Sequence, residues 1–304
     1  MTLTAFQGSL ELGIIYAILA LGVFLSFRSL NMPDLTVDSG FTLGAAVSII
    51  TSVSGHPFLG LLLAFIAGCG AGCVTALLHT KLKIQPLLAG ILTMLGLYSI
   101  NLKVMGGKAN IPLLNKPTVY SFIEGLIPGN YARLIFDSII LLVILFLFYL
   151  FLKTRLGFVL RATGDNDQMV RSQGVNTDFI ILIGMALSNG LVSLSGALIA
   201  QEQSFVDVSM GIGMVVIGLA SVIIGEAIFG VKTLFRRLLA VVLGSILYRL
   251  IIAVALELGM PPTDLKLVSA VIVAIALSTP VVKSSYPTLK RKYQSRGLSK
   301  KRVS

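Results

Sequence analysis

Apolar runs about twenty residues long, repeated along the whole chain, decide what this sequence can become. Nine are legible, at about 9–27, 35–54, 58–78, 84–101, 134–152, 179–200, 212–230, 238–256 and 265–282. An α-helix rises ~1.5 Å per residue, so ~20 such residues match the hydrocarbon thickness of a bilayer. The runs are continuous and lack the polar face of a helix lying on a soluble core. Composition agrees: 56% of residues are hydrophobic and 12% charged, about half the charged fraction of a soluble domain. The expected fold class is therefore all-α, a polytopic membrane protein with about nine (8–10) transmembrane helices. The Gly- and Pro-broken second run suits a split or re-entrant helix. Residues 1–282 would form one transmembrane domain and 283–304 a basic tail, with no room for a soluble catalytic domain. The N-terminus has neither a basic segment nor a small-residue cleavage signature, so the first span is expected to be retained.

The net charge is +11, and its distribution suggests an orientation. With the N-terminus outside and the C-terminus inside, segments 28–34, 79–83, 153–178, 231–237 and the tail hold 18 of the 24 Lys and Arg residues. The outer loops hold Lys103, Lys108, Lys116, Arg133 and Lys266, and Arg249 lies within a span. Cytoplasmic loops carry this excess in membrane proteins, giving N-out, C-in. The tail would then meet anionic lipid. Basic residues dispersed by topology in this way do not form a nucleic-acid surface.

Sites of chemistry are missing from the pattern. "MGGK" at 105–108 has Leu102 at the first glycine of a phosphate loop, and Ala109 follows the lysine. His56 and His79 lie at span ends, no HExxH occurs, and no catalytic or metal-ligating set is expected. Cys69 and Cys73, flanked by Gly68, Gly70 and Gly72, read as small residues packing a helix interface. What remains is polar chemistry at membrane depth, which is costly and so marks candidate function. Asn31, Asp34 and Asp38 surround Pro33 and can either cap a broken helix or border a solute path. Asn101, Asn189 and Glu226 are further candidates for the path or for helix–helix bonds. "DSGFTLGAAVSI" and "SNGLVSLSGALIA" are loosely alike and run the same way through the membrane, a weak sign of duplication.

The polar stretch "RATGDNDQMVRSQGVN" (161–176) stands between two apolar runs. Gly164 breaks the preceding structure, and Asp165 or Asn166 can cap a helix start. Gly174 can take the left-handed conformation that ends it. A two-turn helix is expected from about Asp165 to Gln173, with Asn176 or Thr177 capping the next span. Met169 and Val170 are apolar residues in a cytoplasmic loop. A helix this short is unstable alone, so it must rest on the bilayer or on a partner.

The stretch "TRLGFVLRATGDNDQMVRSQGVNTDFIILIGMALSNGLVSLSGALIA" resembles permease subunits of ABC importers of the branched-chain amino acid and ribose type. The residues that carry the likeness are Arg155, Leu156, Gly157, Arg161, Ala162, Gly164, Asp165, Asn166, Gly174, Val175 and Asn176, continuing through Gly190 and Ser195-Gly196-Ala197. More loosely, it extends to "NMPDLTVDSGFTLGAAV". Gly225-Glu226 stands where those permeases usually carry Gly-Gly. "IIGEAIF", "LYRLIIA" and the 85–114 segment are instead similar to a subgroup associated with aromatic amino acid (tryptophan/tyrosine) uptake. The resemblance implies a bacterial inner-membrane importer built from two permeases, two ATP-binding subunits and an extracytoplasmic binding protein. ATP and Mg would sit in the partner ATPase, with no cofactor in this chain. Arg161, Gly164, Asp165, Asn166, Asp167, Met169, Val170, Arg171 and Gly174 would form the coupling segment on that ATPase. A sugar or nucleoside permease is the alternative within the class, and an ion-coupled secondary transporter the alternative outside it.

Overall fold

The computed structural model describes residues 3–114, 116–126, 131–261, 264, 267–271 and 274. In chain order these fold as α1 (Leu3–Val23), a π-helical turn (Phe24–Ser29), α2 (Thr36–Val53), α3 (Pro57–Thr80) and α4 (Pro86–Val104). Then follow β1 (Asn110–Pro112), α5 (Val119–Leu126), α6 (Ala132–Lys153), α7 (Arg155–Asp165) and α8 (Asp167–Ser172). The last elements are α9 (Thr177–Gln203), β2 (Phe205–Asp207), α10 (Met214–Phe229) and α11 (Leu234–Glu257). The helical expectation holds, with one addition: β1 and β2 pair antiparallel, Ile111 opposite Val206.

Among the described residues seven helices are long and apolar enough to cross a membrane, and α10 is shorter at 16 residues. Eight of the nine expected runs thus appear as apolar helices, but the seventh is not a full-length span. The ninth run, 265–282, lies largely outside the described residues, as does the 283–304 tail. The reason for the short seventh helix is tertiary. After β2 the chain turns back into the bundle, and Gly211 lies so close to the Asp38 carbonyl that a Cβ would overlap it. Gly213 adopts φ 93°, and only then does α10 begin. At ~1.5 Å per residue it covers about 24 Å.

The helices form an inner and an outer layer. The most apolar stretch of α1 is 83% buried, whereas that of α6 is 22% buried and those of α3 and α4 are 33% and 28%. Leu62, Leu95 and Leu142 accordingly point away from the protein, as side chains facing lipid do. Inside, α2 and α9 lie side by side and parallel: Asp34 meets Asn189, Gly40 meets Ser193, and Ser48 meets Ala197 and Gln201. Gly44 abuts the Ser193 carbonyl so closely that no side chain fits. Small residues let backbones approach in this way, and the hydroxyls then serve as cross-links. Ser193 donates to the Gly40 carbonyl at 2.6 Å, Ser188 to Gly22 at 2.7 Å, and Ser195 to Ile15 at 2.9 Å. Cys69 belongs to the same packing, its sulfur against Gly190, and both cysteines are free.

Candidate functional site: a capped surface helix and a broken-helix centre

The polar stretch folds as two helices rather than one. Thr154 starts α7 by accepting the Gly157 N–H at 3.3 Å. Gly164 does not break structure: it lies inside α7, packed against the Ser29 and Leu30 backbone where a Cβ would overlap. Asn166, not Asp165, caps α8, its Oδ1 accepting the Met169 N–H at 3.0 Å. Gly174 has φ 81° and ends the segment, and Asn176 caps α9 by accepting the Phe179 N–H at 3.3 Å. Along α8, Val170 is buried and Met169 is 49% exposed. Arg171 pairs with Asp178 at 2.7 Å and with Asp167 at 3.4 Å. Arg161 turns inward, donating to the carbonyls of Gly157 and Leu152. Asp165 and Asp167 face solvent. Leu156 and Phe158 on α7, at 45% and 67% exposure, join Met169 as exposed apolar residues at this end. Sequence reasoning missed that surface, although Thr154 followed by "RLGFVLRATGD" is a capped amphipathic pattern.

The second constellation lies inside the bundle. α1 ends in the π-helical turn, Asn31 adopts φ 53°, and the chain reaches Asp34 near the midpoint of α9. The Asp34 carboxylate is fully buried, accepting Thr36 N–H at 2.9 Å and Asn189 Nδ2 at 2.7 Å. Thr36 and Thr75 share a hydroxyl bond of 2.7 Å beside it. One turn on, the Asp38 carboxylate accepts Gly213 N–H at 3.0 Å and Val215 N–H at 2.9 Å. Each carboxylate therefore sits at a helix start, α2 for Asp34 and α10 for Asp38, where free N–H groups and the positive dipole end favour an anion. Asn101 Nδ2 donates to the Ser39 carbonyl at 3.1 Å. Oδ1 of Asn101 and Oδ1 of Asn189 are buried without a hydrogen-bond partner among the described residues. Asn31, by contrast, is exposed on a cavity beneath α7 and α8.

Glu226 stands apart from that centre. Its side chain is 12% exposed and holds Arg237 at 2.6 Å and Arg28 at 3.1 Å, tying α10 to α11 and to the π-helical turn. Near the opposite end, Tyr120 of α5 donates to Asp137 of α6 at 2.8 Å. There Gln201 accepts the Val119 N–H and donates to Ser48 and to the Pro57 carbonyl. Tyr120, Asp137 and Gln201 had no local sequence signal, because their partners are 17 to 153 positions away. The ribbon at this end is held by Asp207, which accepts from the Ser209 backbone and hydroxyl and from Asn110. Those bonds, the Ser209 hydroxyl first, hold its carboxyl below the usual range. Among the described residues no group of three or more His, Cys, Asp or Glu is placed to hold a metal ion.

Apolar spans interrupted at carboxylates that cap α2 and α10, and a capped helix standing outside the bundle, are features of a multi-pass membrane transport subunit. The chain belongs to the family described as the permease component of the branched-chain amino acid transport system, whose model matches residues 6–277. It is 42% identical over 267 residues to a tyrosine transport system permease protein of Clostridioides difficile (strain R20291), covering 88% of each chain. It is 34% identical to an uncharacterized protein of Rickettsia prowazekii (strain Madrid E), covering 89% of this chain and 96% of that one. A galactofuranose transporter permease protein of Escherichia coli (strain K12) is 28% identical, with 86% and 75% covered. No solved structure matches. The family is that of ABC importer permeases, which work with ATPase subunits and binding proteins.

Proposed function

We propose that this chain is the permease of an ABC importer for an amino acid, with an aromatic one favoured. The observation that carries the coupling part is α8, a short helix capped at both ends, with Met169 outward and Val170 as its only buried side chain. It would seat in a groove of an ATPase subunit, and ATP-driven closure of that pair would move it and switch the spans between outward- and inward-facing states. ATP and Mg would be bound by the partner, since this chain has no phosphate loop in its sequence. Residues 1–282 would make up the permease domain, N-out and C-in in a bacterial inner membrane, with 283–304 as a cytoplasmic tail on lipid. Two copies would form the pathway, fed by an extracytoplasmic binding protein.

The solute would pass the broken-helix centre of Asp34, Asp38, Asn101 and Asn189. Asn31 and Glu226 would lie toward the cytoplasmic exit. The aromatic preference rests on the 42% identity to the tyrosine permease; a sugar is the second reading, favoured by the more distant galactofuranose relative. Purification with its ATPase and binding protein, followed by reconstitution, tests the whole reading. Tyrosine, phenylalanine or tryptophan should stimulate ATP hydrolysis and uptake. Stimulation by sugars alone would select the second reading, and full uptake by this chain without an ATPase would overturn both.

A further inference from the structure

Two adjoining cavities, of about 340 and 400 Å³, separate α8 from the end of α3. They share His79, Asp167, Gln168 and Ile181 as walls. Their volumes fall at the small end of the range of natural ligand sites, about 300–1,000 Å³. The lining carries both signs of charge: Lys83 on the turn after α3, Asp167 and Arg171 on α8, and Asp178 at the start of α9. Arg171 is already paired with Asp178 and Asp167. The Lys83 ammonium, by contrast, has no ion-pair or hydrogen-bond partner among the described residues. His79 Nδ1 donates to the Ile84 carbonyl at 2.8 Å, which fixes the ring at the wall that both cavities share.

We propose that this cleft binds a zwitterionic amino acid from the side of the coupling helix and restrains that helix when occupied. The carboxylate is matched by Lys83, and the ammonium by Asp167, whose pair with Arg171 at 3.4 Å is the looser of the two that Arg171 makes. Neither an anion nor a cation alone satisfies both walls. A ligand held this way bridges the α3–α4 turn to α8. α8 is otherwise fastened mainly by Val170 and by the ion pairs of Arg171. Because the ligand binds best when the cleft is closed around it, it shifts the population toward that arrangement and slows any cycle that moves α8. The regulatory part rests on the proposed ATP-driven import, with accumulated solute braking its own uptake; the binding part does not.

An ammonium and an oxyanion also occur together in a phosphatidylethanolamine headgroup, so the test separates the two sources. The complete complex is reconstituted inside-out, ATPase outward, in vesicles of phosphatidylcholine alone or with phosphatidylethanolamine. ATP hydrolysis is then measured with L-tyrosine added to the outward face. In phosphatidylcholine, millimolar tyrosine should lower hydrolysis about five-fold or more, whereas tyramine and 4-hydroxyphenylpropionate, each lacking one charge, should not. Lys83→Asn should abolish the inhibition at an unchanged uninhibited rate, since Asn tolerates the φ of 57° found at this position. Equal inhibition of wild type and variant, or none, overturns the proposal. Inhibition by phosphatidylethanolamine without tyrosine, relieved by Lys83→Asn, also overturns it and assigns the cleft to lipid. Equilibrium dialysis of labelled tyrosine against the solubilised complex reads the cleft independently: it should detect binding lost in Lys83→Asn even if no solute drives import.

Discussion

At the scale of single residues, the Asp34–Asn189 contact is the most exacting feature of the bundle. Asp34 is an acceptor on both oxygens, so Asp34→Asn turns a donor toward the Asn189 amide. A buried donor left without an acceptor costs about 1–3 kcal/mol, and a thermal melt of the purified protein should show that loss. The exchange Asp34→Asn with Asn189→Asp restores one donor and one acceptor, and should recover more stability than the single changes sum to. If Asp34→Asn instead melts normally but transports a different solute, the carboxylate serves selectivity rather than capping. Gly44 makes a second residue-level case. Gly44→Ala places a methyl into the Ser193 carbonyl and should destabilise by about 1–3 kcal/mol. Gly70→Ala, in open space, should have no such effect in the same melt.

At the scale of elements, α8 and the β1–β2 ribbon stand at the ends of the bundle helices, α8 anchored by the buried Val170 and the ribbon by the buried Val206. Met169→Glu changes an exposed side chain that makes no hydrogen bond or ion pair among the described residues, so the protein should stay folded while solute-driven ATP hydrolysis falls. Unchanged hydrolysis in the reconstituted complex would remove α8 from the coupling role. Arg171→Glu is less clean, because it also breaks the pairs with Asp167 and Asp178. The ribbon has its own pH dependence through Asp207. A carboxyl held below its ordinary value stabilises the fold at neutral pH, and that contribution disappears as pH falls through the lowered value. Hydrogen exchange at 110–112 and 205–207, corrected for intrinsic rates, should therefore quicken under acid conditions below about pH 4. Asp207→Ala should show the quicker exchange at neutral pH already.

At the scale of the whole molecule, the helix connections sort into two ends. One carries the turns after the π-helical segment, after α3 and after α10, together with α7 and α8; Arg28, Lys81, Lys83, Lys153, Arg155, Arg236 and Arg237 lie there. The other carries the ribbon and α5. The N-out, C-in proposal makes the first end cytoplasmic. In a variant with Cys69 and Cys73 replaced by serine, a cysteine at Lys108 should react with an impermeant thiol reagent in intact cells. One at Lys153 should react only after lysis, and the reverse pattern would invert the topology. The Glu226 triad binds three elements at the cytoplasmic end in this orientation. Glu226→Gln leaves two guanidiniums without a carboxylate, and should lower the melting point more than the exposed change Glu124→Gln.

The sequence by itself determined what local chemistry can determine. Twenty-residue apolar runs meant membrane helices because length and hydropathy are properties of a single segment. Asn166, Gly174 and Asn176 marked helix ends because a cap acts on N–H groups or a backbone angle within three residues. Only the tertiary structure decided the rest. It shortened the seventh run, since its start depends on a turn wedged against Asp38 nearly 175 residues earlier. It placed Gly164 inside a helix, since a residue without a Cβ also serves where another backbone must come close. It gave Glu226 two arginine partners and Asn189 its carboxylate, and it opened the cleft beside Lys83. Contacts between distant positions leave no pattern in the segments that make them, because each segment is equally stable as a helix whichever neighbour it meets.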